Sequence, residues 1–277
     1  MRFSFKTAAM ETTWPAMRDM WVAADDIDVY DAGWNFDHFY PLYTDPSGPC
    51  LEGWTTLAAF AQLTTRLRVG TMVNGNTYRH PAVLANMAAT LDHISNGRFE
   101  LGIGAGWAEH EHLAYGIDLP PLKKRFDMFD EACEVIHRLL TETETTFVGE
   151  HYRLTRAFCE PKPLQRPRPP IVIGGKGEKR TLRAVARWAD QWNYPTYDLE
   201  DYARKIEVLT GHCAALGRDP AEIEFSVQVR HAGDAAATAA QAADVLEAGA
   251  DHVVVYFPTP HDPAQLEAVA PELAALR

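Results

Sequence analysis

Residues 67–104 read LRVGTMVNGNTYRHPAVLANMAATLDHISNGRFELGIG. The runs 67–74 and 98–104 are β-branched or apolar, as strands are. Between them PAVLANMAATLDHI reads as a helix opened by Pro81, the first helical position being where proline is best tolerated. A strand, a helix and a second strand in that order predict parallel strands joined by a helical crossover.

The same alternation continues in both directions. Towards the N terminus stand a strand at 2–8, a helix from Glu11 to Asp26 and a strand at 30–37. A helix at 51–66 follows, with Leu57, Phe60, Ala61 and Leu63 at helical spacing. Towards the C terminus an irregular stretch leads to a helix marked by Phe126, Phe129, Ile136, Leu139 and Leu140. Strands are then expected at 169–175, 189–195, 222–230 and 251–257, each followed by a helix, the last one opened by Pro263. Eight strands alternating with eight helices in 277 residues predict an α/β fold, a closed (β/α)8 TIM barrel, as a single domain over 1–277; the rival is an open doubly wound sheet, which usually needs fewer strands. One segment interrupts the pattern. In 142–169 the alternating Phe147, Tyr152 and Leu154 surround a Gly149-Glu150 turn, which predicts a β-hairpin inserted before strand five.

Composition narrows the function. A formal charge of −12 argues against nucleic acid, whose phosphates need a basic footprint. No apolar stretch approaches the roughly 20 residues of a membrane span, and the start MRFSFKTAAMETTWP has no apolar signal core, so a cytoplasmic protein is expected. Cys50, Cys133, Cys159 and Cys213 are far apart and read as reduced thiols.

In such barrels the site lies at the C-terminal ends of the strands. Strand two ends in Phe36-Asp37-His38, strand three in VNGNTYRHP, strand four in GIGAGW and strand five in GGKGEKRT. Gly174, Gly175 and Gly177 precede a helix, so backbone N–H groups and the helix dipole favour an anion there. Lys176, Lys179 and Arg180 add positive charge. The segment matches neither GxxxxGK[ST] nor GxGxxG. Gly102, Gly104 and Gly106 before Trp107 leave room for a planar ring. His110 and His112 are two apart with no third ligand near, so no metal site is expected. A histidine at a barrel mouth, His38, suits proton chemistry. No Ser-x-Gly elbow accompanies it.

The segments FDHFYP, YRHPAVLANMAATLDHISNGRFELGIGAGW and PPIVIGGKGEKRTLRAVARWADQWN resemble the luciferase-like monooxygenase superfamily, and within it the branch using the deazaflavin coenzyme F420. The resemblance implies a (β/α)8 barrel, a cytoplasmic enzyme and commonly a homodimer. It implies that His38, after Asp37, faces the deazaflavin ring as acid/base or as stabiliser of the ring's charge. Val73 and Asn74 match the segment that buttresses the ring's other face and often holds a non-prolyl cis peptide. Gly106 and Trp107 match the edge along the coenzyme, and Gly174, Gly175, Lys176 and Gly177 the loop holding its phosphate.

Two departures matter. The sugar-phosphate dehydrogenases of the superfamily carry a Trp four residues after the histidine, where this chain has Leu42, and an acid where it has Trp107. The sugar-phosphate reaction is therefore not expected, and the proton donor is left open. Trp34, Phe39, Tyr40, Tyr43, Trp107 and Tyr194 are candidates for an aromatic substrate pocket. The leading expectation is F420-dependent hydride transfer to or from a small organic substrate. The alternatives are an FMN-dependent monooxygenase and a non-catalytic flavin carrier.

Overall fold

The computed structural model describes all 277 residues. Its barrel strands are β1 (Arg2–Thr7), β2 (Ala32–Asn35), β3 (Arg68–Thr71) continued by β4 (Asn74–Gly75), β5 (Phe99–Gly104), β8 (Ile171–Gly174), β9 (Gln191–Tyr194), β10 (Glu224–Arg230) and β11 (His252–Phe257). All pair in parallel, and the pairing of β3 with β5 (Val69 with Phe99, Gly70 with Glu100) sets them next to each other across the interrupted third strand. With β1 joined to β11, the ring closes and leaves no sheet edge to protect.

The helices are α1 (Trp14–Asp25), α2 (Gly53–Leu63), α3 (Pro81–Ile94), α4 (Glu109–Tyr115), α5 (Leu122–Thr141), α6 (Thr181–Trp188), α7 (Leu199–Leu216), α8 (Ala235–Glu247) and α9 (Pro263–Ala274). Most start on a cap that takes up orphan backbone donors: Thr13, Glu52, His80, Asp198, Asp234 and Asp262 each accept from an N–H of the first turn. Before β8 lies the expected hairpin, β6 (Thr145–Val148) antiparallel to β7 (Arg153–Ala157). Its turn is held by Glu131 of α5, whose carboxylate accepts from the N–H groups of Glu150, His151 and Tyr152 at 2.7–3.0 Å.

Side chains alternate across each strand. Phe3, Phe5, Val253 and Val255 face outward and are buried in the strand–helix core. The inward set fills the barrel in layers. At the bottom Arg2 bridges Glu100 (3.0 Å) and Glu224 (2.8 Å). In the middle Ala32, Trp34, Met72, Val172 and Val254 pack together, and the Trp34 indole N–H donates to Ser4 at 3.1 Å. Two glycines make that layer possible. A Cβ on Gly70 would sit 2.5 Å from the Trp34 ring, and one on Gly102 would sit 1.8 Å from the Thr71 carbonyl oxygen.

Two expectations are corrected. The third strand does not run unbroken over 67–74: it breaks at Met72–Val73, a cis peptide, and resumes for two residues. The stretch after β5 is not irregular throughout, because Glu109–Tyr115 forms α4, closed by Gly116 in the left-handed region (φ +64°). The sequence hides this helix because its polarity is inverted. Leu113 and Tyr115 are exposed, whereas Glu111 and His112 are buried. The four cysteines are free thiols, and no helix is long and apolar enough to cross a membrane.

Candidate active site

A cleft of about 640 Å³ opens at the C-terminal ends of the strands. Its lining includes His38, Asp37, Val73, Asn74, Gly106, Trp107, Gly174 and Gly175, which the sequence singled out from four separate loops. Lys176 and Gly177 lie outside the lining, on exposed backbone just beyond it.

His38 leaves the end of β2 and meets α4. Its Nδ1 lies 2.7 Å from Oε2 of Glu111, which is 0 % exposed. The same carboxylate accepts the Tyr78 hydroxyl at 2.6 Å and the Phe39 backbone N–H. A buried carboxylate is costly unless donors surround it, and three do. Burial pushes the Glu111 carboxyl up, but the bonds from His38, Tyr78 and Phe39 outweigh it and hold the group below its ordinary value. The Tyr78 phenol is pushed well up by burial and by Glu111, so it stays a donor. An ionised Glu111 assigns the proton to Nδ1 of His38 and turns Nε2 to the cleft. The Trp107 ring stands edge-on to the imidazole, 5.7 Å between centroids.

Asp37 plays a different part from the one its place beside His38 suggests. Its carboxylate is 1 % exposed and bound by both terminal nitrogens of Arg79 from the β4–α3 loop. Burial pushes it up against the pull of Arg79. The pair fixes the end of β2, and thereby the aim of His38. Asn74 is likewise structural: its amide donates to the Gly102 carbonyl oxygen and accepts the Trp54 indole N–H, pinning β4 to β5 and α2.

Val73 forms the floor of the cleft. A Cβ on Gly104 would stand 2.9 Å from one Val73 methyl and one on Gly174 3.1 Å from the other, so only glycines leave this isopropyl group uncovered. The open, flat floor suits a planar ring. Towards β8 the lining continues with Gly174, Gly175 (φ +123°) and Thr181 at the N terminus of α6.

Two of the three cations of the β8–α6 loop are already paired, while Lys179 is exposed and forms no salt bridge. Arg180 pairs with Asp127 (2.8 Å) and Asp130 (3.0 Å), and Lys176 with Asp201 (3.2 Å). An anion there would rest on the backbone and the Thr181 hydroxyl more than on Lys176 or Arg180. His112, weighed above as a ligand, uses both ring nitrogens, on the Ala108 carbonyl oxygen (2.7 Å) and Thr77 (2.6 Å).

The aromatic wall also differs from expectation. Trp34 is inside the barrel, and Tyr194 is buried with its hydroxyl on Asp201 at 2.7 Å. Phe39 and Tyr40 lean on Tyr115 at the rim. Of the six candidates Tyr43 and Trp107 line the cleft, joined there by Phe36, Tyr78, Phe126 and Tyr256. Glu111 was missed because it lies 73 residues from His38 and reads as one more surface acid in AEHEHLAYG. The clue available was Gly116, a helix-ending glycine one turn further on.

An oriented histidine over an open floor, at the mouth of a (β/α)8 barrel, defines an enzyme-type cleft. A family model for luciferase-like monooxygenases matches residues 3–276, and the chain belongs to that family. Among curated proteins it is 34% identical over 169 residues to an uncharacterised protein of Mycobacterium tuberculosis, covering 61% of this chain and 58% of that one. It is 34% identical over 192 residues to an F420-dependent glucose-6-phosphate dehydrogenase of Nakamurella multipartita, covering 69% and 55%. The matched stretches thus span just over half the length of these relatives. A solved F420-dependent secondary alcohol dehydrogenase, in complex with an F420-acetone adduct, superposes over 100% of both chains with a TM-score of 0.87 at 19% identity, which shows a common fold.

Proposed function

We propose that this chain is an F420-dependent oxidoreductase that moves a hydride between the deazaflavin and a small organic substrate. One observation carries the reading. His38, held by a fully buried Glu111, faces the same cleft whose floor is Val73 bared by Gly104 and Gly174. The F420-dependent names among its relatives support the choice of coenzyme.

The residues present fit such a group. Val73 would underlie the ring system, Gly106 and Trp107 would flank it, and Gly174, Gly175 and Thr181 with the first turn of α6 would hold its phosphate. Lys176 and Gly177 would act from outside the lining, Lys176 through its charge. Bound there, the coenzyme supplies or accepts a hydride at a ring carbon. The chain's own part is positioning and proton management. His38 Nε2 delivers a proton to the substrate atom that becomes negative, or removes it in the reverse direction. Glu111 keeps the opposite proton on Nδ1 and stabilises the imidazolium formed when Nε2 is protonated. The acid missing at Trp107 is thus replaced by a pair assembled across the β2 and β5 loops, which weighs against a carrier without turnover. By resemblance to its family the enzyme is proposed to be a homodimer.

The test is an anaerobic titration of the protein with F420 and, separately, FMN, followed by tryptophan fluorescence. F420 is expected to bind at least about tenfold tighter, a preference of about 1.4 kcal/mol. Tighter binding of FMN would move the chain to oxygen chemistry on the same scaffold.

A further inference from the structure

Across the cleft from His38 the lining turns cationic. Lys6, near the end of β1, projects into the barrel mouth, and its ammonium donates to the Gln228 side chain of β10 at 3.0 Å. It lies 5.9 Å from the centre of the Phe36 ring and 5.8 Å from that of Tyr256. Arg230, two residues beyond Gln228, covers the Tyr256 ring at 5.1 Å and also lines the cleft. The amide of Gln228 is oriented in turn, donating to Asn193 at 2.6 Å.

Lys6 and Arg230 are the lysine and arginine of the cleft lining, and neither forms a salt bridge. The chain carries 38 carboxylate side chains against 26 lysines and arginines, so a cation easily finds a partner. Arg2, Arg68, Arg79, Arg168 and Lys205, all at least partly buried, each have one. Asp37, the acid of the lining, is neutralised by Arg79. The cleft therefore keeps a net positive end at β1, β10 and β11. Lys6 has three donor hydrogens, and Gln228 uses one. Desolvation pushes its ammonium down to about 8, the mark of a charge that would gain from an anion.

Resting on the oxidoreductase reading above, we propose that Lys6, assisted by Arg230, is the anchor for a carboxylate of the substrate. The substrate is thus an organic acid whose apolar body lies along Phe36 and Tyr256, with its reacting centre towards His38. Lys6 and Arg230 act as specificity-determining residues. The ammonium and guanidinium take the carboxylate oxygens by charge-assisted bonds, and Gln228 holds the ammonium in place while the cleft is empty of substrate.

The experiment is calorimetric titration of the full chain with benzoate and with its neutral counterpart benzamide, in wild type, Lys6→Met and Arg230→Gln. Lys6→Met keeps most of the length of the side chain without its charge, and Arg230 is exposed, so that the second variant tests the anchor without disturbing the core. Wild type is expected to bind benzoate with Kd below roughly 1 mM and at least about tenfold tighter than benzamide. Lys6→Met should lose about tenfold or more for benzoate and Arg230→Gln severalfold, with benzamide unchanged, as loss of a charged hydrogen bond requires. Equal binding of the two probes, no benzoate binding, or benzoate binding indifferent to both substitutions overturns the proposal. The same three proteins are titrated with F420. If Lys6→Met weakens F420 as much as benzoate, the cations serve the coenzyme and the anchor is refuted. If F420 fails to bind even wild type while benzoate binding depends on Lys6, the coenzyme reading falls and the anchor stands.

Discussion

Replacing Glu111 by Gln tests the site at its least exposed point. In the native arrangement Oε2 accepts from His38 Nδ1 and the Tyr78 hydroxyl, and Oε1 from the Phe39 N–H. A glutamine keeps the volume but has one acceptor oxygen and one NH2 group. With its oxygen in the place of Oε2, the NH2 meets the Phe39 N–H, donor against donor. With its oxygen towards Phe39, the NH2 faces Tyr78 and His38, and both can turn acceptor. That second arrangement uses both amide hydrogens, but it leaves the Tyr78 hydroxyl without its acceptor and moves the imidazole proton from Nδ1 to Nε2. The charge-assisted bonds are lost, so unfolding free energy should fall by about 1–3 kcal/mol. Proton transfer at Nε2 should fall much further. The base has the wrong tautomer and its cation no longer faces a carboxylate, so kcat should drop by on the order of 10²–10⁴. Affinity for F420 should stay within about threefold, because Glu111 lies outside the cleft lining. Glu111→Ala offers no acceptor to three donors and leaves a hole, and should cost about 3–5 kcal/mol. The assays are urea unfolding and steady-state rates with an acceptor found by screening reduced F420. An unchanged kcat in Glu111→Gln, or an alanine variant no less stable than the glutamine one, would refute the assignment of Glu111 as the group that orients His38.

Two further outcomes follow from the barrel interior. Gly102→Ala places a Cβ 1.8 Å from the Thr71 carbonyl oxygen, a backbone atom that no rotamer change can move aside. Denaturant unfolding should show a loss of about 3 kcal/mol or more, and a loss below about 0.5 kcal/mol would mean that β3 and β5 yield more than close packing allows. At the bottom of the barrel, burial pushes the Glu224 carboxyl up, but His252 and Arg2 outweigh it and bring it from 4.5 to about 2. A carboxyl depressed in the folded state stabilises above its unfolded value and loses that contribution as pH falls to the folded one. Wild type should therefore exceed Glu224→Gln by on the order of 3 kcal/mol at pH 7, with the gap closing between about pH 4.5 and 2. Urea midpoints for both proteins across that range check this, and a gap independent of pH would contradict it.

The order of strands and helices, and which loops follow which strands, are legible in the chain itself. Strand and helix signals are local: β-branched runs of four to seven residues, prolines at helix starts, a Gly-Glu turn between alternating apolar residues. Eight such alternating units fit a closed barrel, and with the ring closed His38, Val73, Gly106 and Gly174 come to the same rim because each lies at or just past the end of a strand. What the sequence did not determine is the partner of each ionisable group. Asp37 next to His38 in the chain belongs to Arg79 instead. Lys176, one cation of the Gly-rich loop, belongs to Asp201. Glu111 reaches His38 across 73 residues, and Lys6 reaches Gln228 across 222. A buried charge takes the nearest donor or acceptor in space, and in a closed barrel that neighbour is set by strand register and loop path rather than by separation along the chain. For the same reason α4, with its carboxylate inside and its leucine outside, became legible as a helix only where the barrel mouth gave Glu111 three donors.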